Sequence, residues 1–174
     1  MKVRFDEIPA EGSNLVITDD AWFPDHELER RGKVAAAVFL RRDGQRVFVD
    51  GNLSATVVLV CDRCLGSFER ALAEDFQVEF ELAGVDNIAA TAGEHEVDVE
   101  EMDTVFLKEA AIDIYQVLQQ QVFLALPEKI LCDDECRGLC SNCGANLNKE
   151  DCRCGTKESN SPFGVLAGLK DKMK

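Results

Sequence analysis

The sequence predicts an α+β fold: an antiparallel β-meander packed against one main helix, with a cysteine-rich, zinc-ribbon-like C-terminal segment. Residues 76–82 alternate apolar and polar side chains, which is the period of a half-buried strand. In residues 103–122, apolar side chains recur at steps of three and four, as on one face of a helix. Six of the eight cysteines lie between Cys132 and Cys154. We therefore predict an α+β domain over 1–127 that includes a CxxC hairpin knuckle, a zinc-binding segment over 128–155 and a short helical tail over 156–174.

The first half of the chain supplies most of the predicted strands. Strand signals are short runs rich in β-branched and aromatic residues, and turn signals are pairs such as Asp-Gly. In chain order, we predict short strands at 3–8 and 15–17, a short helix at 23–29, strands at 34–40 and 47–49 around the Asp43-Gly44 turn, a second turn at 50–52, and a strand at 53–61.

The main helix is predicted over residues 103–122. Asp103 or Thr104 is a suitable N-cap, because their side-chain oxygens accept hydrogen bonds from free backbone N–H groups. Pro127 marks the end, since proline cannot continue a helix. We expect the apolar stripe to pack on the sheet face that carries Phe76. The polar stretch 84–101 before this helix is predicted as an acidic connection.

The C-terminal cysteines have the spacing of metal ligands. Cys140 and Cys143 form a CxxC pair, and Cys152 and Cys154 form a CxC pair, in a segment rich in Gly and Asn. Such short spacing lets both thiolates of a pair face one ion, so the four predict a tetrahedral zinc site. The alternative is a set of free surface thiols.

A second CxxC pair, Cys61 and Cys64, lies between two predicted strands, as in a zinc knuckle. Two thiolates do not saturate zinc, and Cys132 and Cys136 are left over to complete the set. We therefore predict one or two structural Zn²⁺ ions, with two if this pairing is correct. The alternative is a redox CxxC, although such pairs normally open a helix in a βαβ unit.

The charge of the chain constrains its partners. Thirty-three acidic residues against nineteen Lys and Arg give −14, and a surface of that sign repels phosphate backbones on average. Nucleic-acid contact would therefore need a local basic patch, and the alternatives are that these cations only balance nearby acids or that the partner is a basic protein. The candidate cations are Arg30, Arg31, Lys33, Arg41, Arg42, Arg46 and Arg63.

The sequence indicates a cytoplasmic protein without enzymatic activity. The N-terminus has no apolar signal region, and apolar runs are far shorter than a membrane span. Paired cysteines in a reducing compartment suggest metal rather than disulfides. No phosphate-binding Gly loop or nucleophile–base set is visible, so we predict no small-molecule substrate and no membrane partner.

Several motifs in order resemble one family. They are LVCDRCL at 59–65, LALP at 124–127, the run from Cys132 to Asn148 with Cys152 and Cys154, and SPFGVLAGLK at 161–170. Together they resemble the YceD family of large-subunit ribosomal RNA accumulation proteins. The resemblance implies a non-enzymatic cytoplasmic factor, with plastid relatives, that is needed for accumulation of 23S rRNA or its precursor. The implied partner is precursor 23S rRNA or a large-subunit ribosomal protein.

Two other functions fit the same residues. One is a zinc-stabilised protein-interaction adaptor outside ribosome biology. The other is a redox or metal-handling thiol protein, since sets of four cysteines also hold iron–sulfur clusters. Co-sedimentation with precursors of the large subunit would separate the first from the ribosomal hypothesis, and a colourless purified protein would exclude iron–sulfur.

Overall fold

The structure, a computed structural model, describes residues 1–83 and 104–154, and the chain divides into two compact units. The sheet unit comprises Met1–Val60 and Ser67–Ile130, and the cysteine unit comprises Cys61–Gly66 and Leu131–Lys174. The predicted connection at 84–101 and the tail at 156–174 lie outside the described residues. The predicted boundaries at 127/128 and 155/156 stay predictions.

The described part of the sheet unit is mostly β-sheet with one α-helix. A single 3₁₀ turn at Phe5–Glu7 follows the first strand. The strands are β1 Lys2–Arg4, β2 Ser13–Ile17, β3 Glu29–Arg30, β4 Ala35–Asp43, β5 Arg46–Val60, β6 Ser67–Leu82, β7 Thr104–Leu107 and β8 Ala111–Asp113, and the helix is α1 Ile114–Leu124.

Six of these strands form the main sheet: five follow the order β2-β4-β5-β6-β7, and β3 pairs with the second half of β5. The neighbours from β2 to β6 are antiparallel, which confirms the predicted meander for this part. The last pairing differs from the prediction, because β7 runs parallel to β6. A separate two-stranded sheet joins β1 to β8. No described helix has the length and apolar character that a membrane crossing requires.

The predicted turn at Asp50-Gly51-Asn52 is wrong, since β5 runs unbroken through it. Gly51 lies opposite Val38 on β4 and Phe76 on β6, so the central strand is paired on both sides there. The Phe76 ring lies where a side chain at position 51 would be: an added Cβ would be 2.4 Å from the ring. The glycine therefore accommodates a cross-strand aromatic ring rather than a change of direction.

The main helix begins later than predicted. Residues from Thr104 to Asp113 are largely extended, because β7 pairs with β6 and β8 pairs with β1. The N-cap is Asp113, whose side chain accepts a hydrogen bond from the Tyr115 backbone N–H at 3.1 Å, rather than Asp103 or Thr104. Strand pairing in this region overrides the apolar period from which the longer helix was inferred.

The helix predicted at 23–29 is also absent. The segment is a series of turns, in which the N–H groups of Glu27 and Leu28 both donate to the Pro24 carbonyl. Trp22 and Phe23 are buried, and their rings meet edge to face. Burial of these two rings anchors the turns to the core. The strand predicted at 3–8 is likewise shorter, because the 3₁₀ turn starts at the buried Phe5.

The helix and the sheet share one apolar core. The core includes Val117, Leu118 and Val122 from α1 together with Phe80 from β6, and Phe76 packs against it. This confirms that the helix stripe packs on the sheet face that carries Phe76 and Phe80. None of the cysteines belongs to this cluster.

We expect Leu118→Ala to lower the free energy of unfolding of the sheet unit by about 2–5 kcal/mol, because the side chain is fully buried and its removal leaves a cavity. Leu124→Ala on the same helix is the matched control, since Leu124 is 74% exposed, and its effect should stay within about 0.5 kcal/mol. Urea unfolding followed by Trp22 fluorescence measures both changes. Equal destabilisation by the two variants would contradict this packing.

Candidate metal centres

The first centre brings together Cys61, Cys64, Cys132 and Cys136 within the cysteine unit. The four Sγ atoms all lie within 4.8 Å of one another. Cys61 Sγ is 3.8 Å from Cys136 Sγ, and Cys64 Sγ is 3.7 Å from Cys132 Sγ. Cys132 is exposed and the other three are buried.

These distances are those of a metal tetrahedron. Four sulfurs about 2.3 Å from a central ion stand about 3.8 Å apart, whereas two sulfurs in a disulfide stand about 2.05 Å apart. All eight cysteines are free of disulfide bonds. The arrangement therefore has the size of a site for a single ion coordinated by four thiolates.

Backbone hydrogen bonds fold the first knuckle into a turn, which directs other N–H groups at the Cys61 sulfur. The Leu65 N–H donates to the Cys61 carbonyl at 2.9 Å, and the Cys61 N–H donates to the Gly66 carbonyl at 3.0 Å. Burial raises the pKa of the Cys61 thiol. Backbone N–H groups of Cys132, Cys64 and Arg63 outweigh this effect and lower that pKa to about 6.

The pKa of Cys132 is shifted in the opposite direction. Its hydrogen bond to the Cys136 sulfur, followed by burial, raises its pKa to about 12. One thiol of the centre is thus disposed to ionise while another retains its proton. A bound cation displaces such protons, because thiolate is the form that ligates metal.

Two side chains outside the cysteine set support the first centre. Arg63 donates from Nη1 to the carbonyls of Asp134 and Cys136, at 3.1 Å each, and so ties the knuckle to the segment that supplies Cys136. Asn148 donates from Nδ2 to Cys136 Sγ at 3.2 Å, and its Oδ1 accepts the Arg137 N–H at 2.7 Å. A hydrogen bond of this kind orients a ligating sulfur and stabilises its charge.

The second centre brings together Cys140, Cys143, Cys152 and Cys154, whose Sγ atoms also lie within 4.8 Å of one another. Cys143 is exposed and the other three are half-buried. The Gly144 N–H donates to the Cys140 carbonyl at 2.9 Å, and the Cys140 N–H donates to the Ala145 carbonyl at 2.8 Å. This is the same pair of hydrogen bonds as in the first knuckle.

The thiols of the second centre divide in the same way. Backbone N–H groups of Asn142 and Cys143 lower the pKa of Cys140 to about 6. The hydrogen bond to Cys143, followed by burial, raises the pKa of Cys154 to about 11. The pKa of Cys152 is raised mainly by its hydrogen bond to Cys140. Both groups of four thiols have the donor type and the size to hold one metal ion each.

Comparison with known proteins shows a match over most of the chain. Residues 49–170 match the family model described as large ribosomal RNA subunit accumulation protein YceD, a span that contains all eight cysteines. The chain belongs to the YceD family.

Two plant proteins of the family are similar to this chain. The "Large ribosomal RNA subunit accumulation protein YCED homolog 1, chloroplastic" of Arabidopsis thaliana is 28% identical over 161 residues, which cover 81% of this chain and 50% of that protein. The protein of the same name in Zea mays is 26% identical over 144 residues, which cover 71% of this chain and 49% of that protein. The chain thus spans about half the length of these curated relatives. No solved structure matches it.

The cations predicted to contact RNA in this YceD-family chain do not form one stripe. Arg30 lies opposite Val57 near the end of β5, whereas Arg46 is the first residue of β5. At about 3.3 Å per residue, the two lie about 35 Å apart along the strand. Arg31 and Lys33 follow Arg30 in the chain, Arg41 and Arg42 lie at the β4–β5 turn, and Arg63 belongs to the cysteine unit.

Most of these cations are already engaged by groups of the chain itself. Lys33 is exposed. Three arginines form ion pairs with acids: Arg30 with Asp20 and Asp25 at 2.7 and 2.6 Å, Arg31 with Glu29 and Glu69 at 3.4 and 3.6 Å, and Arg46 with Glu79 and Glu81 at 3.0 Å each. Arg42 donates to the carbonyls of Gly44 and Phe5, and Arg63 donates to those of Asp134 and Cys136. Arg41 stacks on the Phe48 ring.

Sequence reasoning missed the role of Asn148. Asn148 is so far from the first CxxC pair in the sequence that no spacing motif links them, and only the folded segment brings it to Cys136. We expect Asn148→Asp to weaken metal binding at the first centre by about 10–100-fold, because a carboxylate replaces a hydrogen-bond donor beside the sulfur while the acceptor for Arg137 is kept.

Competition with a chromophoric chelator measures this affinity. Asn142→Asp is the matched control, since it adds the same charge to the same segment but leaves the backbone N–H that faces Cys140 in place. It should leave the affinity of the first centre unchanged. Equal weakening by both variants would show that added charge, rather than the lost donor, is responsible.

Proposed function

We propose that this chain is a non-enzymatic factor that supports the accumulation of 23S rRNA by binding a basic protein of the large ribosomal subunit. The family match over residues 49–170 carries the ribosomal part of this proposal. The names of the two plant relatives, which refer to large-subunit rRNA accumulation, support it. The proposed compartment is the cytoplasm.

The proposed cofactor is structural zinc, one ion in each centre, held by Cys61, Cys64, Cys132 and Cys136 and by Cys140, Cys143, Cys152 and Cys154. Zinc favours four-coordinate thiolate sites of this size, and the two knuckles with their short loops give the segment a zinc-ribbon-like character. The Sγ–Sγ distances, 3.7 and 3.8 Å for two pairs of the first centre and within 4.8 Å for all pairs of both, leave room for one ion in each and not for several irons with bridging sulfides. This argues against the iron–sulfur alternative.

The same coordination argues for a structural rather than a catalytic metal. Catalytic zinc keeps one position for water or substrate, whereas each of these centres offers four protein thiols. An ion held by all four has no open position. The chemistry of the proposed function is therefore binding.

The charge distribution favours a protein partner over direct contact with RNA phosphates. The chain carries −14, and three of the seven candidate cations form ion pairs with acids of the chain. Releasing these cations to phosphate would leave their carboxylates unpaired next to the RNA. An acidic surface instead attracts the Lys- and Arg-rich proteins that coat ribosomal RNA, and such charge complementarity accelerates and selects association.

Complementation tests the function. In cells that lack their own YceD-family protein, expression of this chain is expected to restore the ratio of 23S to 16S rRNA. The expressed chain is also expected to co-sediment with large-subunit precursors. If neither occurs while zinc content is normal, the adaptor function outside ribosome biology becomes the better hypothesis. Steep salt dependence of binding to protein-free precursor 23S rRNA would instead favour direct RNA contact.

A further inference from the structure

The two knuckles share one backbone design but differ at one position. In both, the residue after the second cysteine has a left-handed φ and donates its N–H to the first cysteine's carbonyl. Gly144 occupies this position in the second knuckle with φ +74°, and Leu65 occupies it in the first with φ +56°. Leu65 is the only non-glycine residue with positive φ in the part of the chain that the structure describes.

Leucine is unfavourable at this position in two respects. A left-handed conformation brings the Cβ of an L-residue close to its own backbone, a strain that glycine escapes. The Leu65 side chain is also 65% exposed, so burial within the chain does not compensate for that strain. A strained, exposed apolar residue at a site that suits glycine points to a contact outside the chain.

We propose that Leu65 is the apolar anchor of a docking surface for a Lys- or Arg-rich protein segment that presents an apolar side chain. This inference rests on the proposed function and identifies the surface that performs it. The surface consists of Leu65 on the first knuckle and the exposed acids Asp134 and Glu135, and we call it the knuckle surface.

Arg63 places these acids beside the knuckle. Its guanidinium donates to the Asp134 carbonyl at 3.1 Å, so the acidic run lies against the residue two positions before Leu65. Both Arg63 donor contacts are to carbonyls of the chain, and the acid side chains stay exposed. Two thiolate-bound zinc ions would add further negative charge to this unit. The two exposed acids outweigh the single positive charge of Arg63, so the knuckle surface combines an apolar side chain with a net negative charge, which attracts a cationic peptide and repels phosphate.

The test measures binding of the zinc-loaded full chain to purified proteins of the large ribosomal subunit, one protein at a time, by biolayer interferometry. We expect at least one Lys- and Arg-rich protein to bind, more weakly as salt is raised, and Leu65→Asn to lose at least tenfold in affinity. Asparagine tolerates left-handed φ, so Leu65→Asn should keep the wild-type zinc content and a melting temperature no lower than wild type. Leu65→Met keeps an apolar side chain and should retain binding.

Leu124→Asn is the matched control, because it removes another exposed leucine, 74% accessible, from the sheet unit. It should bind as tightly as wild type. The proposal is overturned if Leu65→Asn binds as well as wild type, or if none of the proteins binds while protein-free 23S rRNA does. In the complementation assay, rescue by Leu65→Asn equal to that by wild type overturns the docking surface alone, whereas failure of wild type itself overturns the proposed function.

Discussion

Removal of metal by a strong chelator is expected to unfold residues 131–154 and the Cys61–Gly66 loop while the core of the sheet unit stays folded. The buried side chains in the described part of the cysteine unit are those of Cys61, Cys64 and Cys136. The described part of this unit has no apolar core apart from these cysteines, so we expect metal coordination to take the place of one. Structural zinc contributes about 10–16 kcal/mol in small peptides, as much as the stability of a whole domain.

The sheet unit has a different source of stability. Its core contains fully buried side chains such as Trp22, Leu40 and Ile114 and includes none of the thiols. We therefore expect burial of apolar surface to keep this unit folded without metal.

Hydrogen exchange resolved by segment, with native mass spectrometry before and after chelation, measures both effects. We expect two zinc ions in the untreated protein, full loss of protection at 131–154 when both are gone, and recovery on adding zinc. Within the sheet unit, only the strand ends next to the loop, near Val60 and Ser67, should lose protection. One zinc ion in the untreated protein, or equal loss of protection in the middle of β5, would contradict this division.

Local signals predicted well those features that are decided locally. The Asp43-Gly44 pair marks the β4–β5 turn, and CxxC spacing marks both knuckles. The hydrogen bonds that define this turn and the two knuckles join residues a few positions apart. The first group of four thiols is not local, since Cys61 meets Cys136, which is 75 positions away; it was predicted because Cys132 and Cys136 were the cysteines left over, and the structure brings the same four together.

The features that were missed depend on partners distant in the chain. Gly51 continues a strand because β4 and β6 flank it, and residues 104–113 extend because β6 and β1 pair with them. The candidate RNA-binding arginines looked available in the sequence, yet Arg31 meets Glu69 and Arg46 meets Glu79 across the sheet. Strand pairing between distant segments, which no local period encodes, decides all of these.

Cys143→Ser is expected to abolish metal binding at the second centre and also to weaken the first by about 10–100-fold, or about 1.4–2.7 kcal/mol. The reason is the position of Asn148, which lies between Cys143 and Cys152 in the chain yet donates to Cys136 of the first centre. We expect metal at the second centre to fix this loop. Without that metal, ordering the loop would cost part of the binding free energy at the first centre, so the two sites would be coupled.

A double-mutant cycle separates this coupling from general damage. If Asn148 transmits the effect, adding Asn148→Asp to Cys143→Ser should weaken the first centre little further, because the donor is already displaced. Arg153→Ser, an exposed change between two ligands of the second centre, should leave both affinities unchanged. Titration of each variant with zinc against a competing chelator gives the two constants. Additive losses in the double variant would show that Asn148 does not transmit the effect, and an unchanged first centre in Cys143→Ser alone would show that the centres act independently.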